Sequence, residues 1–346
     1  MRDSKWIRDC LCVLCMGLGV ACGTSAQTVA QEASSAPRGN ASGSTSYPLA
    51  GATFYVNPYS VAAGHVHESC SAYFPDSPPR AIAKIAAMAQ AVWFGDWDPM
   101  GEIEKSVDDL SRTAKAKRQV PIMVVYNMVH RDCGEYSKGG AADAAAYRQW
   151  IRNFAEGLGA AKAVIILEPD ALSQLENQGC LTGPQKPERV GLIADAVETI
   201  KAEDRNALVY IDAGHEGAVP VPEMARRLLR ADVSHAQGFA LNTSYYSSTE
   251  ANRAYGDQVS ALIGGKHFVV DTGRNGRGGT PDKQWCNPKG QGLGTPSTGY
   301  DSGLMDAGVV VLNPGGSDGA CNGNPPAGTF SLELACGLLQ NAVPKR

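Results

Sequence analysis

The chain has 346 residues, with 31 Lys plus Arg against 35 Asp plus Glu and a formal charge of −4. Dispersed positive charge at this balance excludes the basic footprint of a nucleic-acid binder, and no apolar run is long enough to span a bilayer. Once the N-terminal segments are set aside, about 300 residues remain, which fits a single α/β barrel better than two domains.

In chain order, Arg2, Lys5 and Arg8 precede the apolar stretch Leu11–Ala21, and Thr24-Ser25-Ala26 offers a small-residue cleavage site. Residues 1–26 are therefore expected to be an export signal. Cys22, in Gly19-Val20-Ala21-Cys22, leaves a lipid anchor open as an alternative. Residues 27–50 are rich in Ser, Ala, Gly and Pro and are expected to be a flexible linker, followed by one catalytic domain over 51–346.

Short apolar runs then alternate with helix-length segments. Strands are predicted at Ala52–Asn57, Ala91–Phe94, Ile122–Tyr126, Val164–Glu168, Leu208–Asp212, Gly238–Asn242, His267–Asp271 and Gly308–Asn313. Helices are predicted at Pro79–Met88, Ile103–Lys117, Ala142–Leu158, Pro187–Glu203, Val221–Arg230 and Thr249–Ile263. The βα alternation over the whole length predicts a distorted parallel (β/α) barrel, closed or nearly so. Thr272–Asp306 breaks the pattern with a Gly- and Pro-rich stretch, and a loop that long in a compact domain usually serves or covers a site.

The carboxylates sit where such folds do chemistry, just past the strand ends. Asp132 follows Val120–Tyr126, Asp170 follows Ala163–Leu167, Asp212 ends Ala207–Ile211, and Asp318 follows the last apolar run. Several acids converging on one cleft point to proton transfer on an uncharged substrate, which is what glycoside hydrolysis requires. Two of these acids also have a plainer reading: Asp170 as a helix N-cap, Asp318 as a turn residue in Gly-Ser-Asp-Gly. Six cysteines lie beyond the signal (Cys70, Cys133, Cys180, Cys286, Cys321 and Cys336) without a CxxC pair, which favours disulfides over a zinc site. No metal cluster, phosphate loop or nucleotide fingerprint appears, so no cofactor is expected. Gly273–Gly279 lacks the Lys-Ser/Thr ending and the following helix of a phosphate loop.

Eight segments in order make the pattern specific: FYVNPYS, VVYN…RDCG, IILEPD, YIDAGH, LNTSYY, VVDTGRNG, QWCNPKG and PGGSDG. Together they resemble glycoside hydrolase family 6, the inverting cellulases, over roughly residues 52–340. The resemblance implies that Asp170 is the general acid and Asp132 its charged neighbour. It places Asp318 under the sugar at the cleavage point, Asp212 as an organiser and Tyr126 as the residue that crowds the ring. A water relay toward Asp132 or Asp318 would supply the base. It further implies sugar stacking on Trp93 and Trp285, hydrogen bonds from His215 and Asn242 to sugar hydroxyls, and disulfides Cys133–Cys180 and Cys286–Cys321. Cys70 and Cys336 are left over, with a third bridge between them as the remaining expectation.

The resemblance also carries departures. Ala218 and Val221 stand in the segment after the DAGH motif where a tryptophan is usual, and Val310, Leu312 and Gly316 replace a Trp, a Lys and a Glu. Two functions are thus expected to compete: an endo-β-1,4-glucanase acting on soluble or amorphous β-glucan, or a carbohydrate-binding paralogue with weakened hydrolysis. The 35-residue span between Cys286 and Cys321 favours the open-cleft endoglucanase over a cellobiohydrolase. The expected partner is a β-glucan polysaccharide or oligosaccharide, met by a monomer outside the cytoplasm (secreted, periplasmic or lipid-anchored).

Overall fold

Eight strands form one sheet in the order β1-β2-β3-β4-β5-β6-β8-β7, parallel except for the last pair. They are β1 (Val92–Gly95), β2 (Ile122–Tyr126), β3 (Val164–Leu167), β4 (Leu208–Asp212), β5 (Gly238–Leu241), β6 (His267–Asp271), β7 (Thr298–Gly299) and β8 (Met305–Val309). The computed structural model describes residues 47–342, Gln178 excepted, so the expected export signal and residues 27–46 of the expected linker lie outside the described residues. Tyr47–Ala50, at the end of that linker, pack on the domain, and Leu49 is fully buried.

Alternation along each strand divides the core into two. Met123 and Val125 of β2, Ile165 and Leu167 of β3, and Val209 and Ile211 of β4 face outward, toward the helices. Their neighbours Ile122, Val124, Val164, Ile166 and Tyr210 fill the barrel interior, which Leu49 and Phe54 help to close. By the same parity Tyr126 and Asp212 emerge inside the barrel at the carboxyl end of the sheet. The gap between β1 and β8 is bridged by Ala91 N–H donating to the Val310 carbonyl at 2.9 Å and the Trp93 indole N–H donating to the Val311 carbonyl at 2.9 Å.

Helices α1 (Ile103–Ala116), α2 (Ala144–Leu158), α3 (Gln185–Glu203), α4 (Val221–Arg230) and α5 (Thr249–Leu262) lie close to their expected spans. Asp143 and Ser248 cap α2 and α5 by accepting the Ala146 and Ala251 N–H groups. Phe154 and Trp150 stack on the buried face of α2 at 5.7 Å, and truncating such a ring costs about 3–5 kcal/mol.

Four elements differ from expectation. Ala52–Asn57 reduces to a single bridge between Phe54 and Val120, because Asn57-Pro58 turns the chain away from the ladder. The last long strand begins earlier and ends at Val309, since the buried Asp306 hides its start from a hydrophobicity reading. That carboxylate accepts from the Tyr210 hydroxyl at 2.7 Å and lies 2.7 Å from His267 Nδ1. The helix expected at Pro79–Met88 shrinks to Ala83–Ala86, after Pro78-Pro79 and a left-handed Arg80. A helix not anticipated, α6 (Leu332–Gln340), starts on a Ser331 cap and carries Cys336.

Three disulfides are present: Cys133–Cys180, Cys286–Cys321 and Cys70–Cys336. The first two pin the loops after β2 and β6. The third ties the N-terminal segment to α6. Among the described residues no helix is long and apolar enough to cross a membrane.

Candidate active site

A cleft of about 930 Å³ opens at the carboxyl ends of the strands. Its floor is built by the turns after β2, β3 and β4, and each turn uses backbone that side chains rarely adopt. Asp132, Cys133, Glu168 and Asp170 all have positive φ, at 54°, 51°, 53° and 69°. Non-glycine residues held this way cost about 1–3 kcal/mol each and persist where the surroundings enforce them, commonly at functional sites. Glu168 is one enforcing group. Its buried carboxylate accepts the Asn127 N–H at 3.1 Å and the Met128 N–H at 2.9 Å, tying the end of β2 to the end of β3. Burial pushes its carboxyl up to about 7.

Asp212 is the second enforcing group. A single oxygen, Oδ1, accepts the Asp170 N–H at 3.1 Å and the Gly214 N–H at 3.0 Å. It sits below the cleft wall, nearly fully buried, and touches the site through the backbone of Asp170. Asp170 itself lines the cleft. Burial first, then the charges of Asp212 and Asp132, push its carboxyl up to about 8; burial also raises Asp212, to about 6. The two titrate as a coupled pair, with the proton near neutrality favoured on the side that faces the cleft. Asp132 lines the same cleft, its Oδ2 accepting the Ser137 N–H at 2.7 Å and its Oδ1 the Gln174 amide N–H at 3.1 Å.

Asp318 also reaches the cleft, but both its oxygens are engaged. Oδ1 accepts from Arg274 Nη2 at 2.7 Å, and Oδ2 accepts from the Tyr246 hydroxyl at 2.6 Å and the Asn287 N–H at 2.9 Å. Arg274 is only 3% exposed; burial works against its charge, but Asp318, Tyr246 and Asp271 together outweigh it and keep the guanidinium firmly charged. Its guanidinium also lies 4.4 Å over the Tyr246 ring.

Aromatic side chains mark the walls. Trp93 meets Tyr126 edge to face at 5.3 Å, and burial first, then the charges of Asp170 and Asp132, raises the Tyr126 hydroxyl. Trp285, 43% exposed, tilts against Tyr136 at 5.9 Å. His215 lines the cleft and stacks on Tyr245 at 3.6 Å; burial lowers its imidazole, and Nδ1 is 2.8 Å from the Glu216 carbonyl. A neutral ring donating there keeps Nε2 as an acceptor. Asn242 departs from expectation: it is fully buried behind the wall, φ 66°, with its amide donating to the Asp271 carbonyl at 2.9 Å.

The structure thus brings Asp132, Asp170, Asp318, Tyr126, Trp93, His215 and Trp285 to one cleft, with Asp212 beneath it and Asn242 off it. Sequence reasoning did not single out Gln174, Arg131, Arg274, Tyr245 or Tyr246. Of the departures, Ala218 and Leu312 line the cleft while Val310 and Gly316 are buried. Among the described residues no group of three or more His, Cys, Asp or Glu is placed to hold a metal ion.

Paired buried carboxyls whose pKa values are pushed up, in an aromatic-walled cleft at the end of a parallel barrel, form an arrangement that can deliver a proton to a neutral ligand. The sequence profile of glycosyl hydrolases family 6 matches residues 49–342, and the chain belongs to that family. It is 41% identical over 262 residues to Endoglucanase A of Cellulomonas fimi, covering 75% of this chain and 56% of the relative. It is 41% identical over 298 residues to Endoglucanase A of Thermobispora bispora, covering 84% of this chain and 62% of the relative. The chain therefore spans about three fifths of the length of these two relatives. The endoglucanase Cel6 of Mycobacterium tuberculosis, solved with methyl-cellobiosyl-4-deoxy-4-thio-β-D-cellobioside, superposes with a TM-score of 0.80 at 38% identity, covering 86% of this chain and 99% of that one.

Proposed function

We propose that this chain is an inverting endo-β-1,4-glucanase that hydrolyses soluble or amorphous β-glucan. The observation that carries the proposal is Asp170, a cleft-lining carboxyl held protonated near neutrality by burial and by two neighbouring acids. Asp170 protonates the departing glycosidic oxygen while a water attacks the anomeric carbon from the opposite face. Asp132 receives the water's proton through a relay. It is preferred to Asp318, whose oxygens are occupied by Arg274, Tyr246 and Asn287, so that Asp318 acts as a fixed negative charge at the wall. Tyr126 and Trp93 bound the sugar, and Trp285 and His215 hold neighbouring units. Relatives named endoglucanase, and the short Cys286–Cys321 loop, support chain-internal cleavage. Three disulfides favour an oxidising compartment, consistent with export by the expected signal.

A fall in viscosity of carboxymethyl cellulose that outpaces reducing-end release, with the α-anomer formed first by NMR, is the expected result. Release of the β-anomer first contradicts the inverting mechanism. The second reading, a carbohydrate-binding paralogue, draws on Ala218 and Leu312, which put small and aliphatic groups where stacking and charge would grip the polymer. It requires oligosaccharide affinity by calorimetry with no reducing ends released.

A further inference from the structure

The cleft wall contains an aromatic surface that the roles above leave unused. Trp97 follows β1 on a loop, lines the cleft, and is 52% exposed. An exposed tryptophan is usually mobile, but this one is braced from below. Its ring lies so close to Gly95 that a β-carbon there would fall 2.7 Å from two ring atoms. The Arg131 guanidinium lies over its ring at 5.1 Å and is also 4.7 Å from the Tyr126 ring. Arg131 is only 6% exposed and fixed by the Asp96 carboxylate at 2.6 Å, the Tyr126 carbonyl at 2.8 Å and the Ser137 carbonyl at 2.8 Å.

Trp93, Tyr126, Arg131 and Trp97 thus form a continuous ladder from the barrel interior to the rim. A large apolar ring, oriented in advance and left half open in a cleft built for sugars, gains stacking energy without the entropy of being ordered. Resting on the β-glucan hydrolase reading, we propose that Trp97 is a sugar-stacking platform that adds a subsite beyond Tyr126. It would be specific to longer chains and would offset the aromatic surface lacking at Ala218. Arg131 lies against both the Tyr126 and the Trp97 rings, so the proposed subsite is separate from the one at Tyr126 and should be felt by longer oligosaccharides first.

The test is calorimetric titration with cellotriose to cellohexaose, in an Asp170→Asn background that keeps the sugar intact. Trp97→Ala should weaken cellohexaose binding about 3- to 10-fold while leaving cellotriose unchanged. Trp97→Phe should keep most of the affinity, and Trp97→Leu, apolar but without a ring, should lose it. Equal affinity of the parent and Trp97→Ala for every length overturns the proposal. So does equal loss at every length together with a lower melting temperature, which would make Trp97 a prop for Arg131. Absence of binding by the parent overturns it as well. Reducing-end release by the wild-type chain is measured alongside, so failure of the hydrolase reading is scored separately from failure of the subsite.

Discussion

Replacing Asp170 by Ala removes the group on which the proposed chemistry turns. With its carboxyl raised from 3.8 to about 8, roughly 99 of 100 molecules carry the proton at pH 6. At the ordinary value about 1 in 160 would do so. The perturbation supplied by burial, Asp212 and Asp132 is therefore worth about 160-fold in available acid before any geometric advantage. General acid catalysis contributes about 10²- to 10⁴-fold, so kcat on β-glucan should fall by that factor in Asp170→Ala while the melting temperature changes little. A dinitrophenyl cellobioside, whose leaving group departs without a proton, should lose less than about tenfold. The pH profile gives the sign independently. Because the protonated form is the active one, wild-type kcat/KM should be level up to about pH 8 and decline above it, and Asp170→Ala should lack that decline. A mutant equally impaired on both substrates, with the alkaline decline intact, would refute Asp170 as the proton donor.

Other outcomes follow from the surrounding residues. Asp212→Asn removes the largest charge acting on Asp170 and should move the alkaline decline about one pH unit lower, read from kcat/KM against pH. An unmoved decline would mean that Asp212 acts only through its hydrogen bonds. Arg274→Met leaves the 5%-exposed Asp318 carboxylate without its cation and should cost about 3–5 kcal/mol in urea unfolding. A loss below about 1 kcal/mol would mean the pair is not buried as described. The Cys70→Ala/Cys336→Ala double variant opens a link of 266 residues and should lose up to about 5 kcal/mol, measured by the same titration. No change in the unfolding midpoint would contradict that role.

Much of the fold was legible because strands buried on both faces read as unbroken apolar runs, and β2, β3, β4 and β6 fall within a residue of their expected spans. Where the sequence misled, a local term overrode the pattern. Asp306 hid the start of β8, and Pro78-Pro79 cut a helix that periodicity alone supported. Asp132, Asp170 and Asp318 were legible because a residue just past a barrel strand is forced to the carboxyl face. Asn242 satisfied the same rule but is fully buried, its amide bonded to the Asp271 carbonyl of the next strand, a partner 29 residues away that no periodicity encodes. Arg131, Arg274 and Gln174 were invisible for another reason. Their partners Asp96, Asp318 and Asp132 lie 35, 44 and 42 residues away, so their significance exists only once the chain is folded.

The proposed mechanism requires Asp170 to carry a proton near neutrality. Difference infrared spectroscopy of the wild-type chain against Asp170→Asn, with the carboxyls isotopically labelled, reads this directly. A protonated-carboxyl stretch at pH 7 that is lost from the variant, and that fades in the wild type between about pH 7 and 9, is the predicted result. A spectrum at pH 7 showing only the carboxylate bands for this residue would contradict it.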